Sequence, residues 1–123
     1  MSERKILIID DDENVALMLK DYFESQGIVV AVAGFMHEAL DIYDEFHPDL
    51  IFLDYRMSPY TGKDVLERLK IIGNKAPVIM MSAYKRREGV FEMKNLGAAE
   101  YIEKPYNFDE IDSIVEKYIN SPA

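Results

Sequence analysis

The chain has 123 residues, of which 49% are hydrophobic and 30% charged, with no cysteine and a formal net charge of −9. A chain of this size buries one apolar core without metal or disulfide support, and its composition excludes disordered and membrane-embedded classes. The acidic balance repels a phosphate backbone and argues against direct nucleic-acid binding, while the lack of cysteine removes thiolate chemistry and Cys-type zinc.

Ser2-Glu3-Arg4-Lys5 leads into only four apolar residues, Ile6 to Ile9. That run is too short for a signal-peptide core or a membrane span, so a cytoplasmic location is expected. Lys5 to Ile9 reads as the first strand. Val15, Leu19, Tyr22 and Phe23 then recur at helical spacing up to Gly27. A second strand is expected over Ile28 to Ala33, and a second helix carries Met36, Ala39, Leu40 and Tyr43. His37 and His47, at a helix start and before a proline, lack partners of metal-ligand spacing and are placed at the surface.

Leu50 to Leu53 forms the third strand, and Val65, Leu66 and Leu69 mark the third helix ahead of Gly73. Pro77 to Ser82 is the fourth strand, with Met80 and Met81 as core rather than a cofactor box. The basic cluster Tyr84-Lys85-Arg86-Arg87 enters a fourth helical stretch that ends at Gly97; it reads as a solvated loop or as a contact for a partner. Glu100 to Glu103 is the fifth strand. Phe108, Ile111, Ile114, Val115 and Tyr118 give the C-terminal helix, with Asn107 as its cap. Gly27, Gly73 and Gly97 each sit where a left-handed residue ends a helix.

Five short apolar strands alternating with helices predict an α/β architecture: a parallel sheet, right-handed crossovers and helices on both faces, a three-layer sandwich. One domain is expected over 1–123, with its core at about 4–119 and a frayed tail at 120–123.

In such sheets the binding crevice lies beyond the carboxyl ends of the strands. Strand 1 ends there in Asp10-Asp11-Asp12, strand 3 in Asp54, strand 4 in Ser82 and strand 5 in Lys104-Pro105. One of the three leading aspartates is expected to cap the first helix. Converging carboxylates stay ionised only beside a compensating cation, and Lys104 with a hard divalent ion such as Mg²⁺ fits an all-oxygen donor set. A carboxylate such as Asp54 is already a nucleophile at neutral pH, and Mg²⁺ with Lys104 would neutralise the oxygens of a phosphoryl group in transfer.

Ile6-Leu-Ile-Ile-Asp10-Asp11-Asp12, Leu53-Asp54-Tyr-Arg-Met57 with Gly62 eight residues after Asp54, Met81-Ser82-Ala83 and Glu103-Lys104-Pro105 together resemble the receiver domains of bacterial response regulators. The resemblance covers nearly the whole chain, in order and at matching spacing. It implies a flavodoxin-like (βα)5 fold with strand order 2-1-3-4-5. It also implies Asp54 as phosphoacceptor, fed by a sensor histidine kinase or histidine phosphotransfer protein, and Mg²⁺ held by Asp10, Asp11, Asp54 and the main-chain carbonyl of Arg56.

Ser82 and Lys104 would bind the phosphoryl oxygens, Ser82 and Tyr101 would form the switch, and Arg56 and Tyr84 would modulate the lifetime of the acyl phosphate. Lys104-Pro105 would be a cis peptide. Phosphorylation would draw Ser82 inward, let Tyr101 follow, and change the face of the fourth helix, fifth strand and C-terminal helix for a downstream protein, in a monomer or a phosphorylation-dependent dimer. The chain departs from the family pattern at Ser58, which stands where the family has a proline directly after the Met of this loop, with proline displaced to Pro59, and at Tyr60-Thr61, which replaces Met-Asp before the glycine.

Other readings are a phosphorylation-independent flavodoxin-like interaction module, an FMN-binding module and a Mg²⁺-dependent phosphatase. FMN is opposed by the acidic run after strand 1, where a phosphate loop would be needed.

Overall fold

A computed structural model describes residues 3–57, 59–83 and 94–119. The elements are β1 (Lys5–Ile9), α1 (Glu13–Glu24), β2 (Val29–Ala33), α2 (Met36–Phe46), β3 (Leu50–Asp54), α3 (Gly62–Ile71), β4 (Val78–Ser82), β5 (Glu100–Glu103) and the C-terminal helix α4 (Phe108–Ile119). The expected fourth helical stretch, with its basic cluster and Tyr84, lies mostly outside the described residues. All strands are parallel in the order β2-β1-β3-β4-β5.

Strand side chains alternate between two separate apolar layers, as the period of two dictates. Leu7, Ile9, Ile51, Leu53, Val78, Met80 and Tyr101 meet α2 and α3 through residues such as Ala39, Val65 and Leu69. Ile6, Ile8, Phe52, Ile79, Met81 and Ile102 meet α1 and α4 through Leu19, Phe23, Ile111 and Ile114. Full burial of β3 and β4 explains why those strands read as unbroken apolar runs.

β1 and β5 have their expected bounds, β3 runs one residue further to Asp54, and β2 and β4 begin one residue later than expected. Ile28 is buried but closes α1, donating its N–H to the Phe23 carbonyl, before the ladder begins at Val29. Pro77 offers no N–H and only accepts, from Ile51. The helix stripes hold at Leu19, Phe23, Ala39 and the whole Val65-Leu66-Leu69 set, and Ala16 joins the buried face of α1. Phe108 is partly exposed and stacks on Tyr22 rather than entering the core.

Asn107 caps α4 through Oδ1, which accepts from the Asp109 and Glu110 amides. Gly27, Gly73 and Gly97 have φ of 81°, 83° and 106°. His37 and His47 are exposed. Among the described residues no helix is long and apolar enough to cross a membrane.

Candidate functional site

The sheet delivers its polar residues to one rim. Three backbone bonds continue the ladder past the strand ends: the Asp10 amide donates to the Ala33 carbonyl at 2.9 Å, Tyr55 to Met81 at 2.8 Å, and Lys104 to Ser82 at 2.7 Å. Asp10, Asp54 and Ser82 are the buried polar side chains of the core, at 1%, 3% and 2% exposure.

The three leading aspartates divide their work. Asp12 caps α1, its Oδ1 accepting from the Asn14 and Val15 amides at 3.0 and 3.3 Å. Asp10 turns inward, and its Oδ1 accepts from the Asp12 amide at 2.9 Å. Asp11 is exposed at the mouth. Carboxylate oxygens of Asp10, Asp11 and Asp54 lie within 4.8 Å of one another.

Lys104 Nζ is 3.1 Å from Asp54 Oδ1, a charge pair rather than an aligned hydrogen bond. Asp10 Oδ2 is buried without any hydrogen-bond partner among the described residues. A buried acceptor left open beside two further carboxylates fits a hard cation: the donors are all oxygen, and one lysine does not balance three carboxylates.

Burial dominates the electrostatics. It pushes Asp10 up to about 7, with the Asp54 charge adding to the rise and the Asp12 amide and Lys104 opposing it. Asp54 is also raised by burial, against Lys104 and the Arg56 backbone N–H. The folded chain therefore holds the Asp10 proton more tightly than the unfolded chain, where aspartate titrates near 3.8.

The favourable contribution of that proton is fully present below the unfolded value and is lost as pH rises through about 7. Asp10→Asn keeps the acceptor for the Asp12 amide and removes the charge. At about pH 8 without metal it is expected to be more stable than wild type, with the two converging near pH 4. Thermal unfolding in a chelator checks this, and a lower midpoint for Asp10→Asn at the alkaline pH would contradict it.

The loop after β3 is held at both ends. Arg56 and Thr61 form an isolated antiparallel bridge, and the Gly62 amide donates to the Tyr55 carbonyl at 2.6 Å. Thr61 and Asp64 form a capping box at the start of α3. Thr61, in a departure from the family pattern, thus supplies the cap. Ser58 lies outside the described residues.

Of the other expected residues, Arg56 has an exposed side chain and Lys104 is half-buried, and the Lys104-Pro105 peptide that follows it is cis. Tyr101 is 1% exposed, turned into the α2/α3 layer, and is paired in register with Met80. Ser82, two residues beyond Met80, faces the same side.

Tyr106 was not singled out from the sequence. Its ring lies under Lys104 Nζ, 5.7 Å from the centroid, and its hydroxyl is buried. The only sequence signal was its place two residues after Lys104.

A sequence model described as "Response regulator receiver domain" matches residues 6–116. The chain is 36% identical over 119 residues to sporulation initiation phosphotransferase F of Bacillus subtilis (strain 168), covering 97% of this chain and 96% of that protein. It is 35% identical to regulatory protein AtoC of Escherichia coli (strain K12), covering 92% of this chain but only 24% of that longer protein. Among solved structures, a two-component response regulator from Clostridium difficile superposes with a TM-score of 0.90 at 26% identity, covering 96% of this chain and 97% of that one.

Proposed function

The chain belongs to the response regulator receiver domain family, and on that premise we propose that Asp54 accepts a phosphoryl group from a phosphohistidine donor, a sensor kinase or a phosphotransfer protein. The observation that carries this reading is a buried carboxylate, Asp54, 3.1 Å from Lys104 and grouped with Asp10 and Asp11.

A carboxylate oxygen of Asp54 attacks phosphorus, the P–N bond of the donor breaks, and the electron pair leaves with the imidazole, which takes up a proton. Lys104 sits where it can neutralise an equatorial oxygen, and the Ser82 hydroxyl supplies a hydrogen bond to another. Asp10, Asp11, Asp54 and the Arg56 carbonyl would hold Mg²⁺, whose chemistry is to screen the incoming phosphoryl charge from the carboxylates. Arg56 and Tyr84 are assigned to control water access to the acyl phosphate, Tyr84 lying outside the described residues.

Output passes through the face of the fourth helical stretch, which lies mostly outside the described residues, β5 and the C-terminal α4, in a cytoplasmic monomer or phosphorylation-dependent dimer. Tyr101 already occupies the inward position in this structure. Phosphorylation, by drawing Ser82 across the same side of the sheet, would hold that position against an outward one rather than create it.

Intact mass after incubation with acetyl phosphate tests the reading. One phosphoryl adduct that requires Mg²⁺ is expected; none with acetyl phosphate or with a phosphorylated kinase would favour an interaction module that works without phosphorylation.

A further inference from the structure

Among the described residues three buried polar side-chain atoms make no hydrogen bond: Asp10 Oδ2, Asp54 Oδ1, which is paired in charge with Lys104, and the Tyr106 hydroxyl. The Tyr106 ring packs against the α1/α4 apolar layer, a role that phenylalanine would fill as well. A buried hydroxyl left unsatisfied costs roughly 1–3 kcal/mol, so its presence calls for an acceptor that arrives.

Lys104 cannot be that acceptor, because an ammonium only donates and this one lies over the ring face. Burial pushes the phenol further from ionising, and the carboxylates of Asp10, then Asp54 and Asp12, add to it. It stays a neutral donor in the field of these anions. Asp10 is the natural recipient, since its Oδ1 already accepts from the Asp12 amide while its Oδ2 is open.

We infer that Tyr106 is a positioning residue of the metal site, whose hydroxyl donates to Asp10, directly or through one water, when that carboxylate ligates Mg²⁺, and whose ring seats Lys104 beside Asp54. Carboxylates that bind metals are themselves hydrogen-bonded from outside, and the loss of such a partner typically weakens the metal about 10- to 100-fold. The inference rests on the receiver reading of the cleft.

The test compares the full chain with Tyr106→Phe, which keeps the ring and its stack on Lys104. Calorimetric titration with Mg²⁺ alone is expected to show binding about tenfold weaker in Tyr106→Phe. The metal-free unfolding midpoint should be unchanged or higher. The tyrosine ultraviolet difference signal that Mg²⁺ produces in the wild type should be lost in the variant. A Mg²⁺ dissociation constant within about twofold of wild type, or a persisting difference signal, would overturn the assignment.

At saturating Mg²⁺ the variant should still take one phosphoryl group from acetyl phosphate. If the wild type itself binds Mg²⁺ yet takes none from any donor, the phosphoacceptor reading fails while the Tyr106 result stands by itself.

Discussion

Asp54→Asn is expected to abolish phosphoryl uptake completely while leaving the metal-free fold at least as stable as the wild type. The amide nearly preserves shape, so packing around this 3% exposed position is retained. It has no ionised oxygen to attack phosphorus and cannot form an acyl phosphate. The stability side follows from burial: Asp54 is held above its ordinary value by desolvation, so its charged form strains the fold near neutral pH.

Lys104 would lose its partner at 3.1 Å, but its side chain is 26% exposed and can turn to water, so little is forfeited. Intact mass with acetyl phosphate and Mg²⁺ reads the first effect, and thermal unfolding in chelator reads the second. An adduct that survives in Asp54→Asn would move the acceptor to Asp10 or Asp11.

Gly62→Ala is the second large effect, and it acts through space rather than charge. A Cβ at Gly62 would stand 2.8 Å from Tyr55 Cα, 2.9 Å from the Asp54 carbonyl oxygen and 2.9 Å from Met80 Sδ. Two of these are backbone atoms at the end of β3, and Met80 is fully buried, so none yields cheaply. Alanine's better helix propensity is worth at most about 1 kcal/mol, whereas a forced shift in a packed interior costs about 1–3 kcal/mol or more.

The start of α3 must back away, breaking the 2.6 Å bond from the Gly62 amide to the Tyr55 carbonyl. A net loss of about 2 kcal/mol is expected in chemical denaturation. Phosphoryl uptake should slow by about tenfold or more as Asp54 is displaced from its neighbours. A variant with wild-type stability would show that the loop gives way more readily than this packing implies.

The fold was legible because β1, β3 and β4 are buried on both faces and so read as apolar runs, while the described helices each show a stripe. The one-residue errors arose at Ile28, a buried residue whose N–H turns back to α1, and at Pro77, which has no N–H to give the ladder and only accepts from Ile51. Asp10, Asp54, Ser82 and Lys104 could be placed on one rim because strand ends in a parallel sheet share an edge. The resemblance set Asp10 and Asp11 apart as metal residues, but which of the three aspartates caps α1 was left open, since identical side chains diverge according to where the helix begins.

Gly62 was recognised by spacing alone. Its steric reason depends on how closely α3 approaches β3, which no local pattern records. Tyr106 escaped notice because whether its hydroxyl enters the cleft depends on how the chain turns after β5.

The ladder bonds at Asp10, Tyr55 and Lys104 make the reacting end of the molecule an extension of its most deeply protected backbone. Amide hydrogen exchange at these positions should require opening of the sheet itself, while the connecting loops exchange locally. A chemistry anchored in the sheet and partner contacts carried by loops and helix faces can diversify independently. Such a scaffold can be given new partner contacts by surface substitution alone, with the acidic cleft left untouched.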